Sequence, residues 1–313
     1  MSVGTAPSKV ILFGEHAVVY GRPAIAVPVR DRQATAWVQP APPGSGIVLR
    51  AEDLGQCYPL TAAPTDDALA LIVQLTLKTL EVALSQDLTV TVRSTIPMAS
   101  GLGSGAAVSA AVVRALAAHF SAELAPHQVS ELVYQTELLH HGTPSGIDNT
   151  VVAFEQPVYF VKGQPSERFQ VGHPFHLLIG DTGIPSSTKV VVADVRRRWE
   201  ANRARYDALF DAIGHITDEA RRAIERGDIA ALGSLMDRNQ DLLQEIEVSS
   251  PGLERLIRAA KKAGALGAKL SGAGRGGNMV ALVSQSTAER VANAVRQAGA
   301  KDVIMTTLEG DTR

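Results

Sequence analysis

The sequence predicts an α+β fold in two lobes, and three observations carry that expectation. Strand-like and helix-like stretches alternate irregularly, without the steady strand–helix–strand repeat of a parallel α/β sheet. The chain has 313 residues, more than the ~100–200 typical of one domain. Its character also changes near residue 165. Gly163-Gln164-Pro165-Ser166 reads as a linker, and it divides residues 1–165 from 166–313.

Taken in order, Lys9 to Phe13 is a short apolar run that reads as a strand and stops at Gly14-Glu15-His16. Residues 24–29 and 33–39 carry β-branched residues and read as two further strands. Pro40 to Gly46, rich in Pro, Gly and Ser, is a loop. Leu69, Ile72, Val73, Thr76, Leu77 and Leu80 recur at helical spacing within 66–84. Leu88 to Arg93 alternates as a strand does. The Ala-rich stretch from Ala106 to Phe120 predicts a buried helix. Pro126 suits the first position of another helix, ending near His140. Val151 to Val161 reads as strands with a turn at Gln156-Pro157. His176 to Gly180 is a strand that ends in Asp181-Thr182-Gly183. From 188 to 262 the pattern is almost wholly helical, and Pro251-Gly252 breaks it before a last helix in that run. Ala268 to Val283 returns to β character around a glycine cluster. Residues 287–298 are helical, and Val303 to Leu308 closes as a strand.

Composition narrows the function. Lys plus Arg is 30 and Asp plus Glu is 32, a net charge of −2, which weighs against a dedicated nucleic-acid binder. Arg196-Arg197-Arg198 reads as a solvated helix face, since no aromatic residues interleave it. The single cysteine, Cys57, allows no internal disulfide and no Cys-based zinc site. The first six residues do not resemble a signal peptide. No run reaches the ~18 apolar residues of a membrane helix. A cytoplasmic protein that binds neither nucleic acid nor membrane is expected.

The most informative segment is Ser100-Gly101-Leu102-Gly103-Ser104-Gly105, followed by the Ala-rich helix. A glycine-rich segment opening a helix presents backbone N–H groups that lack intrahelical partners. The helix dipole adds about half a positive charge there, and glycine lets a ligand approach the main chain. Such a site suits the phosphates of a nucleotide, although a tight turn and helix cap would use the same residues. Ser104 stands where the helix begins, free to cap it or to face a phosphate or its metal. The segment lacks the G-x-x-x-x-G-K-[ST] pattern. A second cluster, Gly272-Ala273-Gly274-Arg275-Gly276-Gly277, has the G-x-G-x-x-G spacing. A strand-like run follows it, however, so it reads as a wide turn and not as a dinucleotide loop.

Several charged residues stand at turns. Lys9 begins the first strand, and Glu15 and His16 end it. Asp148 lies in a turn-rich loop, His141-Gly142-Thr143-Pro144-Ser145-Gly146-Ile147-Asp148-Asn149. Glu137 is eleven residues earlier, near a helix end where carboxylates are usually solvated. His140 and His141 are neighbours on a helix and diverge by about 100°, so they do not converge on one ion.

Together these segments resemble a known group. Pro7-Ser8-Lys9-Val10-Ile11-Leu12-Phe13-Gly14-Glu15-His16-Ala17-Val18-Val19-Tyr20-Gly21 resembles the first motif of the mevalonate kinases. Gly101 to Ala107 resembles the phosphate loop of the wider galactokinase, homoserine kinase, mevalonate kinase and phosphomevalonate kinase superfamily. Lys269 to Gly277 resembles that superfamily's third motif. Thr143 to Asn149, and Asp181 through Thr188, are also similar to mevalonate kinases.

The resemblance implies a ribosomal S5 domain 2-like N-terminal lobe and a ferredoxin-like C-terminal lobe. It implies ATP and Mg²⁺, phosphorylation of the C5 hydroxyl of mevalonate in isoprenoid biosynthesis, and a homodimer. By position it implies catalytic roles for Asp148 and Lys9. It implies nucleotide binding by Pro97, Gly101, Leu102, Gly103, Ser104, Gly105, Ala106, Ala107 and Gly274. Ser104 and Glu137 would hold the metal, and Glu15, His16 and Thr188 would contact mevalonate. The sequence departs from the family pattern at Ser8, usually Gly, and at Gly105, usually a second Ser. Arg275 and Asn278 interrupt the third glycine motif. Phosphomevalonate kinase, mevalonate diphosphate decarboxylase and a non-catalytic ligand sensor are the alternatives.

Overall fold

A computed structural model describes residues 1–97, 101–141 and 145–310, apart from the side chains of His140 and His141. In chain order the elements begin with β1 (Ser2–Phe13), β2 (Ala24–Pro40), β3 (Ile47–Ala51) and β4 (Gln56–Pro59). Then come α1 (Ala68–Thr79), β5 (Leu88–Ser94), α2 (Ser104–His119), α3 (Pro126–His141), α4 (Ile147–Phe154), β6 (Val158–Phe160) and β7 (Glu167–Arg168). The rest is β8 (Phe175–Asp181), α5 (Thr188–Ala201), α6 (Arg203–Arg226), α7 (Ile229–Glu245), α8 (Pro251–Lys262), β9 (Gly267–Ser271), β10 (Asn278–Val283), α9 (Ala288–Gln297) and β11 (Asp302–Leu308). Among the described residues no helix is long and apolar enough to cross a membrane.

Three sequence expectations change. The runs at 24–29 and 33–39 form one continuous strand, β2, which carries exposed Arg30 and Asp31 in its middle. The β-branched run Val151–Phe154 is helical: it completes α4, which starts after Gly146 in a left-handed conformation (φ +85°). The break before the last helix of 188–262 is present, but Pro251-Gly252 is the first turn of that helix, α8, and Ser250 caps it by accepting from the N–H of Leu253. Two short strands, β3 and β4, went unforeseen, and exposed Cys57 lies in the second.

The chain forms two compact units. The first comprises Met1–Lys9, Arg32–Met98 and Leu102–Glu155; the second comprises Val10–Asp31, Ala99–Gly101 and Gln156–Arg313. This division follows packing, whereas the expected lobe boundary at 165 follows composition and remains a functional proposal. In the first unit the strand order is β4-β3-β5 and then the second half of β2. β3 runs parallel to β5, and the other two pairings are antiparallel. Helices α1 to α4 pack on one another, and α2 also packs on β5. Helix α2 is the core: Ala106, Ala107, Ala110, Ala111, Val112, Val113, Ala115 and Leu116 are all buried. Small alanines allow close approach. At Gly4 of β1 an added Cβ would lie 2.3 Å from the carbonyl oxygen of Ala111.

In the second unit the sheet order is β11-β8-β10-β9, antiparallel throughout. Counting these strands by chain position gives 4-1-3-2 with helices in both crossovers, which is the ferredoxin-like arrangement. Its apolar core joins this sheet to α5, α6, α8 and α9 through Leu178, Phe210, Leu256, Leu270, Met279 and Val295. Edge strand β9 is covered by α7. Asp237 Oδ1 accepts from the N–H of Ala268 at 3.0 Å, and Gln240 Oε1 from that of Leu270 at 2.9 Å. These side chains satisfy an edge that would otherwise be open to pairing.

Candidate active site

The first unit gathers one set of the expected residues. Lys9, near the end of β1, is buried, and its Nζ lies 3.0 Å from Asp148 Oδ1. Asp148 is the second residue of α4, so the positive end of that helix favours its charge. Lys9 also donates its main-chain N–H to the carbonyl of Leu102 at 3.0 Å, which ties β1 to the glycine segment. Gly103 precedes α2 in the left-handed conformation (φ +73°), and no side-chain hydrogen bond caps the helix there. A Cβ at Gly103 would sit 3.0 Å from Lys9 Cγ and 3.6 Å from Asp148 Oδ2. The glycine therefore lets the uncapped end of α2 lie beside the Lys9–Asp148 pair.

Glu137 belongs to the same set. It is buried on α3, contrary to the usual state of a helix-end carboxylate. A Cβ at Gly105 would lie 3.8 Å from its Oε1. Ser104 and Gly105 are the first two residues of α2, Ala106 and Ala107 follow them and are buried, Leu102 is buried just before the helix, and Pro97 is half-buried further ahead. Met98 to Ser100 and Gly142 to Pro144 lie outside the described residues. Among the described residues no group of three His, Cys, Asp or Glu side chains could hold a metal by itself. One buried carboxylate and one hydroxyl beside an uncapped helix end fit Mg²⁺, which keeps several waters and takes the rest of its ligands from substrate phosphates.

The second unit gathers another set. Glu15 and His16 are both buried. His16 has φ +63° and ψ −47°, and the N–H of Ala17 bonds the carbonyl of Glu15 at 2.7 Å. This is a γ-turn of the rare, strained form. His16 Nε2 lies 2.9 Å from the carbonyl oxygen of Ala273. A carbonyl only accepts, so Nε2 carries the hydrogen and Nδ1 is left as an acceptor. Burial, aided by the charge of Arg275, lowers the imidazole pKa to about 4, so the ring is neutral near pH 7.

Glu15 ion-pairs with Lys269, and both side chains are essentially inaccessible (1% and 0% exposed). Burial pushes the carboxyl pKa up and the ammonium pKa down, and their mutual attraction opposes both shifts. In the sequence Lys269 stands only as the start of a glycine motif. Its signal was a charged residue inside an otherwise uncharged strand, Gly267-Ala268-Lys269-Leu270-Ser271.

The remaining residues stand differently. Thr188 is exposed as the first residue of α5 and takes no part in the Glu15–His16 network. Gly274 has φ +80°, and a Cβ there would lie 2.0 Å from the carbonyl oxygen of Val248. Packing by itself already requires glycine at this position. Arg275 ion-pairs with Asp194 on α5, which Arg197 and Arg198 also bind.

Comparison with known proteins adds the following. Residues 70–156 match the family described as GHMP kinases N terminal domain, and residues 220–301 match GHMP kinases C terminal. A mevalonate kinase of Thermococcus sibiricus is 35% identical over 322 residues, covering 96% of this chain and 95% of that protein. The crystal structure of L. major mevalonate kinase in complex with R-mevalonate superposes with a TM-score of 0.85 at 31% identity, covering 100% of this chain and 97% of that one. A Streptococcus pneumoniae phosphomevalonate kinase shares the fold, with a TM-score of 0.80 at 16% identity over 97% of this chain and 100% of that one.

Proposed function

The chain belongs to the GHMP kinases, and from that membership we propose that it transfers the γ-phosphoryl group of ATP to the C5 hydroxyl of mevalonate, giving 5-phosphomevalonate. The observation that carries this reading is the 3.0 Å contact between Lys9 Nζ and Asp148 Oδ1 beside the uncapped, glycine-led end of α2. The near-full-length likeness to mevalonate kinases supports mevalonate as the acceptor.

Phosphoryl transfer asks mainly for positioning and neutralisation of charge. The backbone N–H groups at the start of α2, with Gly101 and Leu102 ahead of them, are proposed to bind the phosphates of ATP. Pro97, Ala106, Ala107 and Gly274 complete the proposed nucleotide contacts. Asp148 is proposed to orient the C5 hydroxyl and accept its proton as the oxygen bonds to the γ-phosphorus and the bond to the β–γ bridging oxygen breaks. A carboxylate is a weak base, but a loose transition state needs little deprotonation before attack. Lys9 holds Asp148 in place and offsets charge on the attacking oxygen. Ser104 and Glu137 are proposed to hold Mg²⁺, which when bound neutralises charge on the phosphates. Glu15, His16 and Thr188 are proposed to contact mevalonate, His16 through the acceptor Nδ1. Assembly as a homodimer, implied by the resemblance, and a cytoplasmic location, expected from the composition and the first residues, belong to the same proposal.

The test is ADP release with mevalonate, phosphomevalonate, homoserine and galactose as acceptors. Mevalonate is expected to be turned over far faster than the others. Preference for phosphomevalonate, or release of CO₂, would replace this reading with one of its relatives.

A further inference from the structure

Strand β9 presents its two faces differently. Ala268 and Leu270 point into the apolar core of the second unit. Lys269 and Ser271, two residues apart and so on the opposite face, reach the last part of β1 and the segment after it. Ser271 Oγ donates to the carbonyl of Ile11 at 2.7 Å, and Lys269 Nζ pairs with Glu15. Two residues further on, Ala273 accepts from His16. Residues 269, 271 and 273 therefore each hold one residue of the 11–16 segment.

Lys269 is the central member of this set. Its ammonium also donates to the carbonyl of Leu270 at 2.7 Å and lies 5.9 Å from the ring centroid of Phe13. Fully buried Asn239 lies beside the carboxylate it binds. Glu15 and His16 are the first two residues of the strained γ-turn. Backbone strain of this kind persists only where the surroundings over-determine it. A buried ion pair could equally be replaced by apolar residues without loss of stability, so stability alone does not account for its presence.

We propose that Lys269 is a positioning residue: by fixing Glu15 it holds the γ-turn in the conformation that presents His16 Nδ1 to the acceptor substrate. This rests on the reading of His16 as a mevalonate contact. Lys269 touches no reactant itself, so its removal reduces the fraction of molecules in the binding-competent conformation and weakens apparent affinity by that fraction.

A double-mutant cycle between Lys269 and Glu15 tests it, with mevalonate and ATP as substrates. Lys269→Met is expected to raise KM for mevalonate tenfold or more while KM for ATP stays within twofold. In a Glu15→Gln background the same change is expected to alter KM for mevalonate less than twofold, because Lys269 acts through Glu15. Nitrogen NMR of His16 supplies a readout independent of turnover. The parent protein should show the Nε2–H tautomer, and Lys269→Met a mixture of the two tautomers. Should Lys269→Met fail to fold, Lys269→Gln, whose shorter and uncharged amide holds Glu15 less firmly, takes its place with a smaller rise in KM for mevalonate, again without change in KM for ATP and again lost in the Glu15→Gln background. Unchanged KM values, equal rises for both substrates, or the same factor in both backgrounds would overturn the inference. Failure of the parent protein to phosphorylate mevalonate would instead overturn the functional reading and leave the tautomer result to judge the turn.

Discussion

Asp148 and Lys9 are separated by most of the first unit in sequence, yet one 3.0 Å contact joins them. Asp148→Asn keeps the size of the side chain and removes its capacity to take a proton. Turnover is expected to fall by about a thousandfold or more, within the range general bases supply, while equilibrium binding of ATP persists. At Glu137 the expected change is of a different kind. Glu137→Gln should raise the Mg²⁺ concentration needed for half-maximal rate, as a magnesium titration would show. Gly105 offers the converse test. Its helical backbone accepts a side chain, and the 3.8 Å clearance to Glu137 Oε1 is ordinary contact, so Gly105→Ser should fold normally and lower that requirement. Residue types and order made Lys9, Asp148 and Glu137 legible as candidates. The burial of Glu137 was not legible, because position near a helix end says nothing about what packs over it. Nor was the pairing of Glu15 with Lys269, since a spacing of 254 residues carries no local pattern.

Helix α2 shows how an element's start and its core are set by different residues. Its alanines fix burial, and Gly103 alone fixes the approach to Lys9. Gly103→Ala would force a Cβ into the left-handed region, at about 1–2 kcal/mol, and against Lys9 Cγ. The expected outcome is a lower urea midpoint together with a raised KM for ATP. A packing glycine behaves differently. Gly274→Ala, driven against the Val248 carbonyl, should lower the urea midpoint whether or not nucleotide is bound. Helical spacing made α1 legible, alanine content α2, and Pro126 at the first position α3, each within a few residues. Val151–Phe154 was not, because its β-branched residues suit a strand and the signal that decides is the left-handed Gly146 five residues upstream. Arg30 and Asp31 hide the continuity of β2 for a similar reason: their charge marks a solvent-facing stretch, not an end.

At the scale of the molecule, net charge is close to zero and acid sensitivity is expected to come from particular groups. His16 titrates at about 4 when folded against 6.5 ordinarily. A base with a lowered folded pKa contributes stability that is present above pH 6.5 and lost as pH falls toward 4. The loss reaches about 3 kcal/mol once the folded ring is protonated as well, below pH 4. The urea midpoint should therefore drop more between pH 7 and pH 4.5 in the parent than in His16→Gln. The two-unit organisation followed from length and composition, whereas the assignment of Val10–Asp31 to the second unit did not, because it depends on bonds to residues near the other end of the chain. Those bonds, spanning 254, 257 and 260 positions, impose an order on synthesis. While a nascent chain is still threading through the ribosome, Ile11, Glu15 and His16 are already outside and their partners at 271, 269 and 273 do not yet exist. The histidine turn thus matures only after nearly the whole polypeptide has been made, and a prematurely terminated product carries the amino-terminal motif without the means to shape it.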